Sequence, residues 1–168
     1  MPWYAIYTRP RHEKTVNDKL LEKEFDTYLP LVKRVSQWKD RKKKIEEPLF
    51  KSYLFVYFEY KYRFDVLETN GVVKIINFNG KPAVVPDWQI DSLKKMIDSP
   101  ETVQIEPYLR PGELVEVMSG PMLGMKGTVV HRKGQSRMVL TIDGVMQSVS
   151  VDVAEADLKK IQNPKSKI

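Results

Sequence analysis

Cysteine is absent from the 168-residue sequence, which excludes disulfides, thiolate metal sites and a cysteine nucleophile. Histidine is almost absent as well. His12 and His131 are the only two, and neither has a second histidine at metal-ligand spacing. No apolar run reaches the roughly 18 residues of a membrane helix, and the densest, Tyr53 to Phe58, is strand-sized. The N-terminus lacks a basic segment followed by an apolar one. A soluble, cytoplasmic chain with no membrane partner is therefore expected. The glycine-bearing stretch Gly120 to Gly127 lacks the Gly-Lys-Ser/Thr ending of a phosphate loop, and Glu46-Glu47 beside a basic run reads as local charge balance. An enzyme is not expected, nor a metal or other cofactor.

What the sequence does contain is enough apolar material for a packed core: 42% of residues are hydrophobic and 30% charged. The formal charge is +6, mildly favourable for polyanions, and it is spread along the chain. Other composition changes abruptly. Of the 17 aromatic residues only Tyr108 lies beyond residue 107, whereas Gly112, Gly120, Gly124, Gly127, Gly134 and Gly144 all do. The segment between, residues 99–106, is bracketed by Pro100 and Pro107 and has no apolar period. This predicts two domains, 1–98 and 107–168, joined by a linker over 99–106.

In the first part, Trp3 to Thr8 reads as a strand and Arg11–Glu24 as a helix with Val16, Leu20 and Leu21 on one stripe. Lys51–Phe58 is a strand, Tyr62–Thr69 a short helix, Val72–Phe78 a strand, and a helix follows Asp87 with Ile90, Leu93 and Ile97 at helical spacing. The order β-α-β-β-α-β-α predicts an α+β fold, an antiparallel sheet with helices on one face. The second part offers short strands at 114–118, 127–132, 137–142 and 145–151 separated by glycine-bearing turns, which suits a small β-barrel.

Two surfaces stand out. Residues 33–44 hold seven cations against one acid, and Trp38 sits among Lys39, Arg41, Lys42, Lys43 and Lys44. A ring beside lysines and arginines is what base stacking plus phosphate contact require, although such runs are also ordinary solvated loops. The second surface is aromatic. A sheet covered by helices on one face needs only one apolar face per strand. Leu54, Val56 and Phe58 supply it, yet Tyr53 and Phe55 lie on the other face, Tyr7 has the matching parity in its own strand, and Phe50 adjoins. Surplus rings with hydroxyl tips suit an exposed partner site.

The run Pro111-Gly112-Glu113-Leu114-Val115-Glu116-Val117 through Gly120-Pro121, Gly124 and Gly127-Thr128-Val129 resembles a KOW motif. The first 98 residues resemble the NGN domain of the NusG transcription elongation factors, through Trp3-Tyr4-Ala5-Ile6-Tyr7, Glu47-Pro48-Leu49-Phe50-Lys51-Ser52-Tyr53-Leu54-Phe55-Val56 and Gly71-Val72 followed by Pro82-Ala83-Val84-Val85-Pro86. Lys51-Ser52 stands where the housekeeping pattern has Pro-Gly, so the middle segment is closer to the operon-specialised relatives, RfaH and the UpxY proteins. The resemblance implies an NGN sheet with a KOW barrel and an antitermination factor that acts as a monomer. It implies that Tyr7, Phe50, Tyr53 and Phe55 grip the clamp helices of RNA polymerase, and that the basic stretch, joined by Arg9 and Arg11, lies near upstream or non-template DNA. The KOW domain would serve the ribosome or Rho. The alternatives are the housekeeping factor of the same family and a KOW-type RNA-binding module of translation.

Overall fold

The computed structural model describes residues 1–99, 102–106, 113–132 and 134–161. Pro100, Glu101, Pro107, Tyr108, Pro111 and Gly112, which belong to the expected join and to the glycine-rich motif, lie outside the described residues. The chain divides into two compact units, Met1–Pro86 and Asp87–Ile168. Among the described residues no helix is long and apolar enough to cross a membrane.

The first unit opens with β1 (Trp3–Thr8), α1 (Glu13–Glu22), β2 (Asp26–Tyr28), β3 (Leu31–Trp38), β4 (Arg41–Pro48) and β5 (Tyr53–Tyr57). It continues with α2 (Arg63–Leu67), β6 (Val72–Ile75), β7 (Asn77–Phe78), β8 (Lys81–Pro82) and β9 (Val84–Val85). The main sheet is antiparallel in the order β2-β5-β1-β6, with β9 also paired to β1. The register sets Tyr4 opposite Val56 and Ile6 opposite Leu54, so these residues share one face. Phe58 and Ile75 join them in the core, with Val16 and Leu20 of α1 and Val66 of α2. Helix α1 starts later than the apolar stripe predicts, because Arg11 adopts a left-handed φ of 65° that a helix cannot contain. The small hairpin β7–β8 turns on Asn79-Gly80, both at positive φ, as a two-residue hairpin loop requires.

Residues 33–44, for which the sequence leaves an ordinary solvated loop as an alternative, are strand rather than loop on either side of the turn at Lys39-Asp40. Strands β3 and β4 pair over their full length, from Leu31 opposite Pro48 to Trp38 opposite Arg41, and form a two-stranded ribbon of their own. Its ladder pairs the inward-facing backbone polar groups, and those on the two outer edges are left to water. Since most of its side chains face water on both sides, the apolar alternation that betrays a half-buried strand is missing.

The second unit holds α3 (Asp87–Asp98), β10 (Gln104–Glu106), β11 (Val115–Val117), β12 (Lys126–Arg132), β13 (Gln135–Ile142), β14 (Gln147–Asp152) and β15 (Leu158–Lys160). Its sheet runs β10-β14-β13-β12-β11-β15. The four expected strands are present, within a few residues of their expected ends. Closure is not: the path is open, and β10 and β15 at its ends do not pair with each other among the described residues. Strand β10 occupies the outer edge of β14 instead. Two boundaries move as a result. Helix α3, expected to end the first domain, packs its buried Ile90, Leu93 and Met96 within the second unit, and the Ser92 hydroxyl accepts from the Lys126 backbone N–H at 3.0 Å. Residues 104–106, expected as linker, are a sheet strand. Gly127 is required where β12 and β13 meet, since a Cβ there would lie 2.6 Å from the Val139 carbonyl oxygen.

A buried polar network fixes β10. Glu106 accepts from the Ser150 hydroxyl at 2.6 Å and lies 3.8 Å from the Arg137 guanidinium. Arg137 also donates to Ser150 and pairs with Asp152. Glu106, Arg137 and Ser150 are all buried. Charges so far from water persist only when paired, so the network ties β10, β13 and β14 into one register.

Candidate protein and nucleic-acid interfaces

The face of the main sheet opposite the helices is built from alternate residues of β1, β2 and β5. Cross-strand pairing sets Trp3 beside Tyr57, Ala5 beside Phe55, Phe55 beside Tyr28, and Tyr7 beside Tyr53. The rings meet in three groups along it. Trp3 and Tyr57 have centroids 5.2 Å apart, Tyr7 and Tyr53 5.3 Å, Tyr28 and Phe55 6.4 Å, and Phe50 meets Phe55 edge-on at 6.3 Å. Lys74 of β6, paired with Tyr7, holds its Nζ 5.8 Å from the Tyr7 ring centroid.

The four residues read as a single exposed pocket, Tyr7, Phe50, Tyr53 and Phe55, do share this face, but they are not equally accessible. Tyr7 and Tyr53 are half-buried. Phe50 and Phe55 are 0% exposed, so the reading of them as surface rings is corrected. Strand parity gives the face a side chain belongs to and is silent on how deeply its neighbours cover it. Phe55 lies centrally, between Ala5 on β1 and Tyr28 on β2, with Phe50 against its edge. Strand parity alone puts Trp3 and Tyr57 on this face; the sequence reading missed Tyr28 and Lys74, whose pairing is a tertiary fact that no local pattern reports.

The basic residues fall on the β3–β4 ribbon, which turns through Lys39-Asp40 with Lys39 at φ 44°. Trp38 is 57% exposed, and Lys39, Arg41, Lys42, Lys43 and Lys44 are exposed. Lys43 Nζ sits 5.6 Å from the Trp38 ring centroid, a cation–π contact. Arg9 and Arg11 do not join the cations at the ribbon's turn. Arg11 lines an open cleft with Lys14, Glu46, Glu47, Pro48 and Lys51, at the end of β4 remote from the turn. Seven residues of strand, about 23 Å at the usual rise, separate Arg41 from Pro48. Arg9 is exposed, and its backbone N–H donates to the Gly71 carbonyl at 2.9 Å.

His12 donates from Nδ1 to the Pro10 carbonyl at 2.9 Å, and His131 lies 3.1 Å from the Ser136 hydroxyl in the other unit. Among the described residues no group of three or more His, Asp or Glu side chains is placed to hold a metal ion. Burial, and then neighbouring Tyr60, push the Tyr4 phenol above its ordinary 10.0.

Together these features define a protein of mixed helix and sheet that offers an aromatic sheet face and a projecting basic ribbon. A family profile described as "Transcription termination factor nusG" matches residues 1–94, more than half of the chain. The chain belongs to the NusG family of transcription factors. Among solved structures it is similar to the one titled "Domain interaction in Thermotoga maritima NusG", at 20% identity and a TM-score of 0.52, over 96% of this chain and 97% of that one. The "MjSpt4:Spt5 complex" structure aligns over 95% of this chain and 97% of that one, at 17% identity and a TM-score of 0.29.

Proposed function

We propose that the chain is a specialised NusG-type elongation factor that binds transcribing RNA polymerase and suppresses pausing or termination. The observation that carries this is the excess of rings on the main sheet. Helices α1 and α2 use one face of β1 and β5, and the opposite face still presents Trp3, Tyr7, Tyr28, Tyr53 and Tyr57 half-buried around Phe50 and Phe55. Rings with polar tips laid as a platform suit an amphipathic helix, whose apolar face packs on them while hydroxyls satisfy its rim. In this reading Tyr7 and Tyr53 meet the clamp helices directly, Phe50 and Phe55 support them, and catalysis plays no part. The ribbon with Trp38 and its cations, and separately Arg9 and Arg11, lie along upstream or non-template DNA. The second unit, read as a KOW domain, couples to the ribosome or Rho.

The Lys51-Ser52 departure from the housekeeping pattern supports the specialised role over the general one. Copurification tests the polymerase reading, which predicts recovery with polymerase; recovery with ribosomal subunits and without polymerase would contradict it. Transcript profiling of a deletion strain tests specialisation: loss of the long transcripts of one operon is expected, and genome-wide defects would contradict it.

A further inference from the structure

The β3–β4 ribbon carries cations on both of its faces. Paired residues of an antiparallel ribbon share a face, and neighbours along a strand alternate. The register therefore places Arg34, Trp38, Arg41 and Lys43 on one face, and Lys33, Val35, Lys42 and Lys44 on the other. Side-chain contacts agree, since Lys43 lies over Trp38 and Arg34 Nε is 3.4 Å from Glu47. Charge also varies along the ribbon. Glu46 and Glu47 lie at its base, whereas the turn-proximal half holds Lys39, Arg41, Lys42, Lys43 and Lys44 against Asp40 alone.

A ribbon lying flat on a polyanion has use for cations on one face only. Cations divided between opposite faces suit a ribbon with phosphates on either side. Dimensions then select the site. Stacked sheets pack about 10 Å apart, so one sheet with its share of side chains occupies about that thickness. The B-DNA major groove, about 12 Å wide and 8.5 Å deep, accepts that thickness; the minor groove, about 6 Å wide, does not. The A-form RNA major groove is too deep and narrow for side chains to read. A depth of about 8.5 Å holds the turn and the first two or three residue pairs at roughly 3.4 Å each, so Arg41 and Lys42 enter the groove while Lys43 and Lys44, on the third and fourth pairs, lie at its rim beside the phosphates.

We propose that the turn of the β3–β4 ribbon enters the major groove of duplex DNA tip first. Arg41 and Lys43 face one phosphate wall, and Lys42 and Lys44 face the other. Lys39 and Asp40 lead, and Asp40, the one acid of this half, is suited to accept from a cytosine amino group at the groove floor. This rests on the nucleic-acid reading of the ribbon above and chooses the duplex over the displaced single strand.

The test is salt-dependent binding of the full chain to one labelled sequence presented as duplex DNA, single-stranded DNA and duplex RNA. Arg41→Ala with Lys43→Ala is compared with Lys42→Ala with Lys44→Ala. All four side chains are exposed, and unchanged melting temperatures confirm that the variants fold. Duplex DNA is expected to bind at least about tenfold tighter than the other two. Each double variant should flatten the log–log salt slope by up to about two units, near 0.9 for each phosphate no longer neutralised. A slope change confined to one pair would overturn tip-first insertion while leaving the ribbon as a nucleic-acid site, as would equal or tighter binding of the single strand or the RNA duplex. Slopes unchanged in both variants would remove the ribbon as a site, and the broader reading with it.

Discussion

Replacing Glu106 by Ala tests whether residues 104–106 belong to the second unit's sheet. The Glu106 carboxylate is 6% exposed, accepts from the Ser150 hydroxyl at 2.6 Å and sits 3.8 Å from Arg137. Truncation removes a hydrogen bond to a charged group, about 1.5 to 3 kcal/mol, and leaves a buried guanidinium with one carboxylate fewer. Loss of one partner from a buried pair costs about 3 to 5 kcal/mol, but Arg137 keeps Asp152, which places the cost at the lower end, about 3 kcal/mol. For a unit of this size each kcal/mol moves the melting temperature by roughly 4 to 8 °C, so a fall of more than about 12 °C is expected. Glu106→Gln, which keeps an acceptor for Ser150, should lose about half as much. Replacing Glu106 and Arg137 together by Met should cost less than the sum of the single changes, because no unpaired charge remains between them. Calorimetry of the fragment starting at Asp87 supplies the melting temperatures, and amide exchange at Gln104 and Glu106 reports directly on β10. A Glu106→Ala variant within about 1 kcal/mol of the parent, with fast exchange at those amides, would refute the reasoning.

Three further outcomes follow from the packing. Fragment 87–168 should melt cooperatively at a higher temperature than fragment 107–168, which lacks β10 and the buried Ile90, Leu93 and Met96 of α3; equal melting temperatures would remove α3 from this unit. Phe55→Ala should destabilise the chain by about 3 to 5 kcal/mol, as a core ring does, with Leu54→Ala and Val56→Ala behaving similarly in denaturant titration. The folded state holds the Tyr4 proton more tightly than the unfolded chain does, so this contribution to stability is complete below pH 10 and is lost as pH rises through the elevated folded value. Stability measured across that range should fall less steeply in Tyr4→Phe.

The main sheet was legible because its strands are half-buried: Tyr4 and Ile6, then Leu54, Val56 and Phe58, alternate against a helix whose Val16 and Leu20 mark the same core. The β3–β4 ribbon was not, because Lys33 to Lys44 is polar on both sides and its backbone ladder leaves no trace in the residue types. Strand β10 was hidden for a related reason. Three residues are too few for a period, and Glu106 reads as a surface acid until Ser150 and Arg137 are brought to it from more than 30 positions away. Parity identified the aromatic face and misjudged Phe50 and Phe55, whose burial depends on neighbours in space. It grouped Tyr7 with Tyr53 without knowing that their strands adjoin, and their rings do meet.

The central claim, that this aromatic face grips transcribing polymerase, is tested most directly by the affinity of Tyr53→Ala in the full chain for a halted elongation complex. Tyr53 and Tyr7 are half-buried with centroids 5.3 Å apart, so truncation forfeits about 0.5 to 1.5 kcal/mol of ring contact and leaves the core in place. A hot-spot ring carries about 2 kcal/mol or more of binding, roughly a 30-fold loss. Phe64→Ala, 59% exposed and on α2, controls for the removal of any exposed ring. The account predicts at least that 30-fold loss for Tyr53→Ala, with melting lowered by no more than about 12 °C and Phe64→Ala unchanged in binding. Full affinity in a folded Tyr53→Ala variant would contradict it.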